Sequence, residues 1–187
     1  HPAKRFLADF QALAARDSSG AQGWILANLR FAVDEPAERL RLAREVFPKL
    51  VPRHVDEDGT VRAIEGLRAA LADLGDEVVY EMAAEIAEKT TVDEIRGQAK
   101  LLEAWARTEG DATKDPARWA DADEIYREIL FTIPKTGAGK QVSGILYRPI
   151  QESFFARERK WIDEILELQA QGKGPDAWPR QPMHDLV

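Results

Sequence analysis

The stretch Asp76 to Gly110 constrains this chain more than any other. Val79, Met82, Ala83 and Ile86 recur at helical spacing and lay one apolar stripe along a first helix. Thr91 and Glu94 then stand in the S/T-x-x-E relation of a capping box, in which hydroxyl and carboxylate each satisfy an orphan backbone N–H at a helix start. Val92, Ile95, Ala99, Leu102 and Ala106 follow at alternating three- and four-residue steps. Leu101 and Trp105 widen that stripe, and Gly110 supplies a stop. The pattern predicts an antiparallel helical hairpin with both stripes turned toward one core.

Helical spacing continues on either side. Residues 2–16 predict a helix with Phe6, Leu7, Phe10 and Leu13 inward, broken by the turn-forming run Asp17-Ser18-Ser19-Gly20. Residues 21–33 carry Trp24, Ile25, Leu26, Leu29, Phe31 and Val33 around most of a helix, which is expected to be central. Asp34 is placed to cap a third helix with Pro36 in its first turn, and Pro48 and Pro52 are expected to end or kink it. A loop over 54–60 leads to a helix from Val61 to Leu74, closed by Gly75. Asp115-Pro116 reads as another helix start, with Trp119, Ala122, Ile125, Tyr126 and Ile129 inward.

Residues 129–133 fit either a helix end or a short extended piece, and only 129–147 has strand character. Pro149 is expected to open the last long helix, on which Ile150, Phe154, Trp161, Ile165 and Leu168 repeat. Pro175, Pro179 and Pro182 then surround Trp178, in a segment unsuited to regular helix. The expectation is an all-α, single-domain bundle of about eight helices over 1–171. An extended Pro- and Trp-containing tail over 172–187 is either free or packed on the bundle, with Trp178 as an interaction anchor.

Composition removes whole classes of function. With 187 residues the chain is long enough to bury a core of its own. A formal net charge of −7 argues against a nucleic-acid binder, which needs clustered Lys and Arg. The absence of cysteine excludes disulfides, thiolate metal sites, cysteine nucleophiles and iron–sulfur clusters. No uncharged apolar run approaches the roughly 18 residues of a membrane span. The chain opens His1-Pro2, as a processed product or a fragment does, which leaves a cytoplasmic or an exported location open.

The 54–65 segment is the first candidate for chemistry. His-Val-Asp-Glu-Asp-Gly-Thr-Val-Arg-Ala-Ile-Glu resembles an EF-hand loop, with Gly59 at the sharp turn and Glu65 at the closing position. The resemblance implies calcium held by Asp56, Asp58, Thr60 and Glu65. It departs at the first position, where His54 replaces the usual Asp, and at Pro52, where the entering helix should continue. The same residues also read as a capped turn between helices.

Pro134-Lys135-Thr136-Gly137-Ala138-Gly139-Lys140-Gln141 resembles the end of a phosphate-binding loop. It lacks the leading Gly, at Pro134, and the hydroxyl after the Lys, at Gln141, so it also reads as a flexible loop. Lys135, Lys140, Arg148, Arg157, Arg159 and Lys160 form a locally basic stretch with interleaved aromatics. It suits an anionic ligand or acidic partner, or is a solvated helix face. Asp121, Glu124 and Glu128 share a helix face as a magnesium site would, or as an exposed acidic face.

His1, His54 and His184 fall in no E-x-x-H or H-E-x-x-H pattern, and no G-x-S-x-G is present. The run Thr91–Gly110 resembles the helix-ending signature of a secreted proteobacterial family of unknown function, without that signature's aromatic pair and proline; the likeness implies export. With no catalytic set, the leading expectation is a non-catalytic helical interaction or adaptor domain whose partner is another protein. The alternative is an ion- or anion-binding module built on the 54–65 loop or on the 135–160 patch.

Overall fold

The computed structural model describes residues 1–109, 116–174, 177 and 179, and among these all side chains except those of 116 and 145–159. The fold is all-α. Ten helices and no strand occur among the described residues. In order they are α1 (Ala3–Ala14), α2 (Ser19–Ala27), α3 (Leu29–Ala32), α4 (Pro36–His54) and α5 (Asp58–Ala69). Then come α6 (Leu71–Leu74), α7 (Asp76–Lys89), α8 (Asp93–Thr108), α9 (Pro116–Thr132) and α10 (Gly137–Ala170). None of the described helices is long and apolar enough to cross a membrane.

The count exceeds eight because two expected helices are each broken once. Asn28 ends α2 by turning its side-chain amide back onto the Trp24 carbonyl at 2.9 Å. Ala70 separates α5 from α6. The hairpin of α7 and α8 forms as its stripes require, with Val79, Met82, Ala83, Ile86, Ile95, Ala99, Leu102 and Ala106 all buried. Val92 is the exception and is exposed.

Other expectations need correcting. On α1 the inward face is Ala3, Leu7, Phe10 and Ala14, while Phe6 and Leu13 are exposed. The face is set by Phe10 stacking on Trp24 with ring centroids 3.9 Å apart. Asp34 caps nothing: its carboxylate takes the Lys4 ammonium at 2.6 Å. Of the two outcomes expected at Pro48 and Pro52, ending the helix is excluded, since α4 runs to His54. The two prolines lie one turn apart on its exposed side, where water can serve the carbonyls that lose their helical N–H donors. The 54–60 loop shrinks to the corner Val55–Glu57, since Asp58 already begins α5.

The largest correction is at the far end. Of the two alternatives for 129–133 the helix end holds, with α9 running to Thr132; the Gly-containing stretch after it is the start of α10, twelve residues before Pro149. Thr136 is the local cause. Its hydroxyl oxygen accepts the Gly139 N–H at 3.1 Å, as an N-cap does, and donates to the Ile133 carbonyl at 2.7 Å.

Packing of α2 on α5 depends on bare backbone. A Cβ on Gly23 would stand 2.2 Å from the Gly59 carbonyl oxygen, and one on Gly59 would stand 2.4 Å from that of Ser19. The two helices touch main chain to main chain there, which no larger residue permits. The chain's internal contacts fall into two compact units, His1–Val142 and Ser143–Val187. In the second unit the Trp161 indole N–H donates to the Pro179 carbonyl at 2.8 Å.

Candidate functional site

Two places in the first unit gather polar chemistry. The first is the α4–α5 corner. Asp56 there accepts the Thr90 hydroxyl at 2.6 Å, the Thr91 hydroxyl at 2.6 Å and the Thr91 N–H at 3.0 Å. These donors hold its carboxyl below the usual range, Thr90 contributing most. The Thr60 side chain is buried and donates to the His54 carbonyl at 2.9 Å. Asp58 and Glu65 are exposed on α5.

The four residues of the calcium resemblance therefore lie on a corner and a regular helix, with Asp56 turned to the α7–α8 connection. Among the described residues, no three His, Asp or Glu side chains converge as a metal ion requires. His54, in the first-ligand position, faces Glu57 and Asp17 instead.

The second place is a cleft of about 300 Å³ between α5, α8 and the first turn of α10. Ile64, Leu101 and Ala138 are buried in its floor, and Trp105 is half-buried. The Arg68 guanidinium carbon lies 3.4 Å from the centroid of the Trp105 ring, a cation–π contact. Glu65, Gln98 and Gln141 complete the rim.

One end of this cleft is closed by Glu94, whose two carboxylate oxygens each accept the Gly137 N–H at 3.1 Å. The segment that resembles a phosphate loop thus does open a helix, but its first N–H holds a carboxylate from α8. The same bond dissolves the expected capping box. Glu94 reaches α10 and Thr91 reaches Asp56, so α8 starts after Val92 with no side-chain cap of its own.

The basic patch is only partly within view. Lys135, Lys140 and Lys160 are exposed, Lys160 in the second unit. The side chains of Arg148, Arg157 and Arg159, like Trp178, lie outside the described residues. On the acidic helix face Glu128 pairs with Lys100 at 2.8 Å and Asp121 with Arg107 at 3.9 Å, while Glu124 is exposed.

Sequence reading missed the Arg68–Trp105 pair, the Glu94–Gly137 cap and the carboxylates around His54. The first two join residues far apart in sequence and leave no signal in local spacing; at His54, Glu57 stands three residues on, but Asp17 comes from a distant turn. No protein-family model, curated protein or solved structure matches the chain.

Proposed function

We propose that this chain is a helical protein-binding module whose cleft between α5, α8 and α10 takes an acidic segment of a partner protein bearing an apolar side chain. The observation that carries the reading is Arg68 over Trp105. The guanidinium makes no hydrogen bond or ion pair with any described residue, so its donors are free while its carbon lies over the ring. Arginine stacked on an aromatic keeps a fork of N–H groups that fits a carboxylate. Half-buried Trp105 supplies the apolar surface that anchors a side chain beside that charge. Gln98 and Gln141 line the rim with side-chain amides able to bond an incoming backbone.

Selection of short random displayed peptides against the whole protein tests this. Enriched sequences should pair Asp or Glu with an aromatic or aliphatic residue, bind more weakly as salt rises, and lose binding to Arg68→Ala and Trp105→Ala. Peptides without acidic enrichment, or ones that bind both variants as well as the parent, would overturn the reading.

A further inference from the structure

His54 lies between two carboxylates from different parts of the chain. Its Nδ1 is 2.7 Å from Glu57 Oε1 in the α4–α5 corner, and its Nε2 is 3.4 Å from Asp17 Oδ1 in the turn between α1 and α2. The second contact has an ion-pair distance without hydrogen-bond geometry, so that nitrogen has no other partner among the described residues. The other carboxylate oxygens are also occupied. Asp17 Oδ2 accepts from Arg53 on α4 at 2.8 Å, and Glu57 Oε2 accepts the Ser19 hydroxyl at the start of α2. Asp56 is turned away to Thr90 and Thr91. Asp58 of α5 is exposed and pairs with no base among the described residues.

A neutral imidazole carries one N–H, so with a carboxylate at each nitrogen one of them must face a lone pair. Only imidazolium presents an N–H to each carboxylate, hydrogen-bonding Glu57 through Nδ1 and attracting Asp17 as an ion pair through Nε2. We propose that protonated His54 is a clasp that fastens the α1–α2 turn to the α4–α5 corner and releases it when the proton leaves.

The turn it fastens is under tension. Asp17 holds φ at 66°, and no other non-glycine among the described residues has a positive φ. The imidazole also stands at the C-terminal end of α4, where the helix dipole favours a cation.

Glu57 chiefly, and Asp17 after it, lift the His54 pKa above its ordinary 6.5 against the opposing effect of burial. A raised histidine pKa gives stability that is complete below the ordinary value and is lost as pH rises through the raised one. The clasp has an acid limit as well. Asp17 and Glu57 both titrate below their ordinary 3.8 and 4.5, so their contribution fails only as pH falls through those lowered values. The clasp is closed between the two limits.

Amide hydrogen exchange read residue by residue, with the His54 ring followed by NMR over the same pH series, tests the proposal. After correction for intrinsic exchange, protection at Ala21 and Gln22, whose N–H groups bond Ser18, should fall about tenfold across the His54 titration. His54→Gln, which cannot titrate, should show no such step. Asp17→Asn keeps the imidazole and should move its titration down toward the ordinary value. Identical pH profiles in His54→Gln and the parent, or an unmoved titration in Asp17→Asn, would overturn the proposal.

Discussion

The carboxylate of Glu94, in the first turn of α8, caps a helix that begins 43 residues later, with both oxygens 3.1 Å from the Gly137 N–H. Gly137 allows the approach, because a Cβ there would meet Glu94 Oε1 at 2.7 Å. Glu94→Ala removes an anion from a helix start, which typically costs about 0.5–1 kcal/mol. For a chain of this size the melting temperature should fall by ~1–4 °C. Exchange protection should fall most at Ala138, Gly139 and Lys140. Uniform loss of protection across α8 would mean that the residue supports its own helix and not α10.

The α2–α5 crossing predicts a sharp contrast between two glycines. Gly59→Ala forces two backbones apart and should cost about 1–3 kcal/mol or more by overpacking. Gly20→Ala, where nothing lies within 4 Å of the added methyl, should be neutral or raise stability by ~0.5 kcal/mol. Chemical denaturation of the two variants decides this, and equal losses would contradict the close crossing.

Much of the fold was legible in the sequence, because apolar stripes on α4, α5, α7 and α8 repeat over several turns. The stripe Val79–Met82–Ala83–Ile86 lies in the core as its spacing requires. Short motifs were less dependable where their residues had a competing partner elsewhere. Thr91 and Glu94 match a capping box, but Asp56 and Gly137 take their side chains. Glycine at two of the first three positions disguised the start of α10, and only Thr136 hinted at it. The cleft left no trace in sequence, because Arg68 and Trp105 meet only after α5 packs on α8.

Asp56 makes stability depend on acid. Its pKa is lowered chiefly by Thr90 and then by Thr91, so its contribution is present above the ordinary 3.8 and is lost as pH falls through the lowered value. Asp56→Ala should melt earlier than the parent at neutral pH, and the gap should close in strong acid. Melting curves in which the gap is constant down to strong acid would show that the Asp56 charge is not involved.

Glu103 has the opposite sign. It is buried on α8 with one oxygen unpartnered, and desolvation raises its pKa while Lys100 and Arg107 oppose the rise and Glu128 adds to it. A raised carboxyl pKa means that stability is greatest below the ordinary 4.5 and declines as pH climbs through the raised value. Glu103→Gln should therefore match the parent in mild acid and melt higher at alkaline pH. A variant that melts lower at every pH would show that the ionised carboxylate is favourably held.

Binding of an acidic segment in the α5–α8–α10 cleft can be read directly. The most direct measurement is a two-dimensional NMR map of the protein with a selected acidic peptide, reading backbone amides and the Trp105 indole N–H. The largest shifts should cluster at Arg68, Gln98, Trp105, Ala138 and Gln141. Affinity should also drop about thirtyfold in Trp105→Ala, as for the loss of an interface anchor. Shifts concentrated away from the cleft, with the Trp105 indole unmoved, would contradict binding there.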